Sequence, residues 1–241
     1  MELSFDDFKK RATDKSLSRW EKIGFPDSYR KGNEELIFND LVLKTNLSKK
    51  QSKAILDIGC GCSDLVSLLI NYCISSEKEL YLNDSEEMLS NIEVGEHKSI
   101  HLISGKFPDQ VLVKIREKKF DLIFIYSVIQ YVYHDQNMYS FIHDCLNLLN
   151  PGGQLFIGDI PNYDTRERFL NSEEGKYFLS KDFSKKKSVK INHDRDERID
   201  DTIVMSILSR FRSFGYETYL LPQDNDLPMG NRREDILIQK R

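Results

Sequence analysis

Ala54-Ile55-Leu56-Asp57-Ile58-Gly59-Cys60-Gly61-Cys62-Ser63-Asp64-Leu65-Val66 is the stretch that decides the fold. Residues 54–58 are a short, almost continuous apolar run, the pattern of a strand buried on both faces. Two glycines break the run, and helical periodicity begins behind the N-capping types Ser63 and Asp64. Strand, glycine turn and helix in that order bring backbone close to a ligand, because glycine takes positive φ and the helix start offers free N–H groups.

Outward from this unit the alternation repeats. Strands are expected at Glu79–Asn83, Ile100–Ser104, Phe120–Tyr126 and Gln154–Ile160, with a helix starting at Ser85 and another running from the fourth strand to Leu148-Leu149. Alternating strands and helices imply βαβ units, a mainly parallel sheet and helices on both faces. A helix from Asp201 to Phe214 and strands near Tyr216–Leu221 and Asp235–Gln239 follow, the last two as an antiparallel pair at the sheet edge. Residues 1–50 read as an amphipathic helical cap, interrupted at Gly24-Phe25-Pro26 and near Gly32. Residues 161–200 are charge-rich, include Lys185-Lys186-Lys187, and read as a partly mobile insertion over the site edge. The expected organisation is thus one domain over 1–241: cap 1–50, binding core 53–160, charged insertion 161–200, and C-terminal helix and strand pair 201–241.

A chain of 241 residues buries a sufficient core without disulfides or metal. Lys and Arg number 35 against 39 Asp and Glu, and a net charge of −4 argues against a general nucleic-acid binder. The acidic start, Glu2 with Asp6 and Asp7, is unlike a signal peptide, and the run Phe120–Val132 is too short to span a bilayer. The protein is therefore expected in the cytoplasm, with no membrane partner and no nucleic-acid partner. Cys60, Cys62, Cys73 and Cys145 lack zinc-site spacing, read as reduced thiols, and give no metal site. No feature fixes the oligomeric state.

A glycine turn alone does not specify the ligand, since dinucleotide enzymes use the same device. Asp57, an acid closing the first strand, suits an amino group and disfavours a pyrophosphate. The third glycine of the dinucleotide fingerprint would fall at Asp64, which weakens an NAD-dependent oxidoreductase reading. Asp84, at the end of the second strand, can accept both hydroxyls of a ribose, or with Ser85 merely cap the following helix.

Four ordered segments carry a family resemblance: Leu56–Gly61, Asn83–Leu89, Phe120–Ile123 with Val128–Val132, and Leu148–Leu155. Over roughly residues 53–160 the chain resembles the class I S-adenosylmethionine-dependent methyltransferases. The resemblance implies a Rossmann-like, doubly wound seven-stranded sheet with an antiparallel C-terminal strand pair, S-adenosylmethionine as cofactor and S-adenosylhomocysteine as product. It implies that Asp57, Gly59 and Gly61 hold the methionine part, that Asp84 with Ser85 holds the ribose, and that Met88 packs near adenine. Ser104 and Gly105 would flank the base, and Ser127 and Gln130 would face the reaction centre. Two departures stand out: Cys62 replaces a frequent third glycine, and Lys106 follows Gly105 where the family often has an acid for the adenine amino group.

Tyr126-Ser127-Val128-Ile129-Gln130 lacks the Asn/Asp-Pro-Pro-aromatic signature of amino-directed nucleic-acid methyltransferases, so a small-molecule acceptor is expected. Ligands of open α/β sheets bind beyond the carboxyl ends of the strands, which favours Asp159, Asn162 and Tyr163. His134 and Asp135, after the fourth strand, are further acceptor-site candidates. Asp159 suits a base or an ordering residue, and His134 a base or a surface helix residue. Arg232 and Arg233 form either a clamp for a carboxylate or phosphate or surface ion pairs with Glu234 and Asp235, and Tyr29 with Arg30 is a second anion candidate. Ile160–Asn162 and Asn231–Ile238 also look similar to methyltransferases of bacterial surface-polysaccharide pathways, which implies an anionic or nucleotide-linked sugar as acceptor. The alternative from another class is a non-catalytic protein that keeps the fold as a scaffold or binding module.

Overall fold

The computed structural model describes residues 3–181 and 198–241. Strands β1 (Ala54–Ile58), β2 (Glu79–Asp84), β3 (Ile100–Ser104), β4 (Phe120–Tyr126) and β5 (Leu149–Pro161) run parallel. With β6 (Glu217–Pro222) and β7 (Arg233–Gln239) they make one seven-stranded sheet, ordered β3-β2-β1-β4-β5-β7-β6. β7 is antiparallel to both neighbours, β5 and β6. The Rossmann-like sheet with its antiparallel C-terminal pair is as expected. In finer detail the last strand lies inside the edge, and burial explains why. Ile236, Leu237 and Ile238 are buried, whereas most of β6 is exposed or half-buried, so the apolar strand takes the inner place.

Strand alternation splits the core into two layers. Leu56, Ile123, Ile125, Leu155 and Ile157 face one layer of helices through Phe141, Ile142, Val204 and Phe211. Ile55, Leu80, Leu82, Leu122 and Phe124 face the other through Leu41, Val66, Leu69 and Ile70. Helices therefore cover both faces of the sheet.

Three local expectations change. The helix after β4 is two helices, α7 (Ile129–Asp135) and α8 (Met138–Asn147), because Asn137 caps α8 by accepting from the Ser140 N–H at 3.0 Å. Leu149 belongs to β5, whose start pairs with Phe120 across a register shift. Residues 163–181 of the charged stretch are helical: α9 is Tyr163–Asn171 and α10 is Glu173–Lys181. Lys185-Lys186-Lys187 lies outside the described residues.

The N-terminal cap comprises α1 (Phe5–Thr13), α2 (Arg19–Lys22), α3 (Asp27–Arg30) and α4 (Glu34–Lys44). Ser4 with Asp7 and Ser18 with Glu21 form capping boxes that start α1 and α2. Helix α5 (Asp64–Ser75) follows the glycine turn, and the one-turn helix α6 (Glu86–Leu89) follows β2 and packs against α1. The last helix, α11, is Asp201–Ser213. No helix among the described residues is long and apolar enough to cross a membrane. No group of three or more His, Cys, Asp or Glu among them could hold a metal ion.

Candidate active site

The carboxyl ends of β1, β2 and β4 open into a cavity roofed by Phe5, Phe8, Ile23 and Phe25 of the cap. Its floor is the glycine turn. Gly59 and Gly61 have φ of +72° and +65°, and a Cβ on either would lie 2.6 Å from Val128 or 2.7 Å from Ile23. Both the conformation and the close approach therefore demand glycine. Asp84 braces this turn from β2, accepting from the Gly61 N–H at 3.0 Å and the Ser85 N–H at 2.7 Å.

Asp57 and Asp84 both line the cavity. Burial, then the neighbouring Asp84, pushes the Asp57 carboxyl up to about 7. Burial raises Asp84 to about 6 against the pull of its two backbone donors. No cation among the described side chains pairs with either acid. Two acids without a side-chain cation, set over a glycine turn, can accept hydrogen bonds from an ammonium group or from hydroxyls.

A second polar group closes the cavity at the end of β4. Ser127, with φ of +59°, donates its hydroxyl to Asp159, also at φ +59°, and accepts from Arg30. The Arg30 guanidinium donates to Asp159 at 3.3 Å and lies over the rings of Phe25 (4.3 Å) and Tyr126 (5.3 Å). Arg30, Ser127 and Tyr126 line the cavity, while Asp159 is buried behind them. Non-glycine residues with positive φ at two adjacent strand ends are a strained arrangement of the kind that accumulates at functional sites.

Residues 56–157 match the family described as "Methyltransferase domain". Over these residues the chain is similar to methyltransferase domains. Its fold is similar to solved plantazolicin methyltransferases. BpumL, in complex with a triazolic desmethylPZN analog and SAH, is 15% identical with TM-score 0.63, covering 98% of each chain. BamL, in complex with the same kind of analog and SAH, is 14% identical with TM-score 0.62, covering 98% of this chain and 96% of that one. The N-methyltransferase NodS from Bradyrhizobium japonicum WM9, in complex with S-adenosyl-L-homocysteine, is 14% identical with TM-score 0.57, covering 99% and 97%. At these identities the likeness is one of fold. No curated protein matches the sequence.

The cavity brings together Asp57, Gly59, Gly61, Asp84, Met88, Gly105, Ser127 and Arg30 from the sequence-derived set. Other members of that set lie beside it. Ser85 caps α6, accepting from the Met88 N–H at 3.1 Å, and Ser104 accepts from Lys114. Gln130 donates to the Ser127 carbonyl at 2.8 Å and so braces the strained turn instead of facing the cavity. His134 is on the exposed side of α7, outside the cavity lining, with its ring against Tyr133. Asn162 is buried as the N-cap of α9 and donates to Asp201 and Glu234 at 2.8 and 2.7 Å, which is scaffold work. The Tyr163 ring packs under Arg198.

Arg232 and Arg233 do not act as one fork. Arg233 turns inward, donating to the Asp159 carbonyl at 2.9 Å. Arg232 lies over the rings of Phe169 and Phe178, 5.8 and 5.3 Å away, close to Tyr29 and Arg166. Burial, helped by Arg166 and Arg233, lowers its pKa. The expected surface ion pairs do not form: Glu234 is taken by Asn162 and Thr165, and Asp235 by Lys44 and Gln223. Sequence reasoning missed the aromatic roof and, although it offered Asp135 as an acceptor-site candidate, the pairing of Asp135 with Lys106 in the cavity lining. Aromatic residues Phe5, Phe8 and Phe25 in an amphipathic cap were a signal for the first; the second depends on tertiary packing.

Proposed function

We propose that the protein transfers the methyl group of S-adenosylmethionine to a small-molecule or peptide acceptor bearing an anionic group. Bound S-adenosylmethionine supplies a methyl group activated on a sulfonium centre and leaves as S-adenosylhomocysteine. The unpaired acids Asp57 and Asp84 fit its ammonium group and ribose hydroxyls, and Gly59 and Gly61 admit its methionine part. Met88 and Gly105 fit beside its adenine.

The chain's own contribution is alignment and exclusion of water. Ser127 donates to Asp159 and accepts from Arg30, which leaves one hydroxyl lone pair for an acceptor N–H or O–H. Asp159 reaches the cavity only through Ser127 and Arg30, so it is a positioning residue in this reading. The aromatic roof excludes bulk solvent.

The observation that supports an anionic acceptor is the charge balance beyond the end of β5. Arg30, Arg166, Arg232 and Arg233 gather there, while Asp159 and Glu167 are their acidic partners. The half-buried Arg232 has no acidic partner among the described residues. A carboxylate or phosphate on the acceptor would supply it. A nucleotide-linked or otherwise anionic sugar meets this requirement as a peptide carboxylate does; the glycan preference rests on short sequence segments alone.

The test is S-adenosylhomocysteine formation with matched acceptors that differ in one anionic group. Arg232→Gln should raise KM for the anionic acceptor by about tenfold or more, the worth of a charge-assisted hydrogen bond. It should leave the affinity for S-adenosylmethionine unchanged. Equal KM in variant and wild type, or preference for the neutral acceptor, would overturn the anionic reading.

A further inference from the structure

Adenine carries an amino group with two N–H donors, and a buried donor without an acceptor costs a substantial part of the binding energy. Given the cofactor orientation proposed above, with the ribose on Asp84, the base falls toward the neighbouring turn after β3, where Gly105, Lys106 and Phe107 line the cavity. The turn after β3 supplies no carboxylate there. It presents Lys106, whose ammonium only donates.

Helix α7 brings an acid to the same place. Asp135, in the last turn of α7, lines the cavity alongside Lys106. Its Oδ2 accepts from Lys106 Nζ at 2.5 Å, and no described group takes its Oδ1. A lysine that would repel a donor is thereby turned into a clamp that holds a carboxylate at the mouth of the base pocket. The adjacent Gln136 spends its amide N–H on the Phe107 carbonyl, a long contact of 3.5 Å. The remaining acidic side chains of the cavity, Asp57 and Asp84, belong to β1 and β2.

We propose that Asp135, held by Lys106, is the acceptor for the adenine amino group, so that α7 reads the base in place of the β3 turn. This assignment rests on the cofactor reading above. Both side chains are more than a third exposed, so neither variant below threatens the fold.

The experiment measures calorimetric binding of S-adenosylhomocysteine and of its analogue with hydrogen in place of the 6-amino group. Wild type should favour the amino form by about tenfold or more. Asp135→Ala should collapse that ratio to about one, by weakening the amino ligand and leaving the analogue unchanged. Lys106→Met should lower the ratio partway, because the carboxylate stays but loses its clamp. A wild-type ratio near one, or a ratio preserved in Asp135→Ala, would overturn the assignment while leaving the cofactor reading intact. Failure of wild type to bind S-adenosylhomocysteine at all would overturn both.

Discussion

Lowering the pH from 7.5 to 5 should weaken S-adenosylmethionine binding by roughly a hundredfold, with the inflection set by Asp57. Its carboxyl is pushed up from 3.8 to about 7 by burial and by the neighbouring Asp84. At pH 7.5 most of it is ionised; at pH 5 about one molecule in a hundred is. A bound ammonium group favours the carboxylate, so affinity tracks the ionised fraction. Asp84, raised to about 6, adds a smaller loss below that value, because a protonated acid still serves ribose hydroxyls. Calorimetry in buffers of different ionisation enthalpy should also show about half a proton released on binding at pH 7. Asp57→Asn mimics the protonated acid. It should bind at pH 7.5 about as weakly as wild type does at pH 5, and it should lose the inflection near 7. Affinity constant within threefold across the range, with no proton release, would refute the claim that these acids receive the cofactor's cation.

The same raised values have a consequence for stability. The folded protein keeps protons that the unfolded chain has already released, so these two groups stabilise the fold at low pH. That contribution is lost as pH climbs through 6 and 7. The rise in Tm on adding S-adenosylmethionine should therefore be larger at pH 7.5 than at pH 5, which a thermal-shift series would check. Gly59→Ala should lower Tm and abolish cofactor binding together, since its Cβ falls 2.6 Å from Val128 at a φ of +72°. The cost in stability should be about 1–3 kcal/mol. Asn162→Ala should cost about 1–2 kcal/mol through loss of the α9 cap, read by denaturant unfolding, with cofactor affinity unchanged. Arg30→Met leaves Asp159 buried with Arg233 as its remaining cation. It should cost about 3 kcal/mol and also weaken cofactor binding, because Arg30 ties the cap to the sheet.

The parallel core was legible because its strands are short apolar runs, most of them followed by a turn and a helix, a signal local to ten or so residues. Gly59, Gly61, Asp57 and Asp84 were legible for the same reason: strand ends and the turns after them converge in this topology. The insertion of β7 between β5 and β6 was not, because it depends on which of two strands competes better for burial. Arg232 and Arg233 are adjacent in sequence, yet one turns to Asp159 and the other to Phe169 and Phe178, a divergence set by partners distant along the chain. Asn162 looked like a ligand group at a strand end, but the same position starts α9, and the cap claimed its side chain. Asp135 was legible as an acceptor-site candidate after the fourth strand, but its pairing was not, because no local pattern links it to Lys106, 29 residues away.

The most direct test of the central claim is calorimetric titration of the purified protein with S-adenosylmethionine and, separately, with NAD, using Asp84→Ala alongside wild type. The account predicts micromolar binding of S-adenosylmethionine, a loss of about tenfold or more in the variant, and no binding of NAD. A folded, ligand-free sample that takes up NAD, or that ignores S-adenosylmethionine, would contradict it.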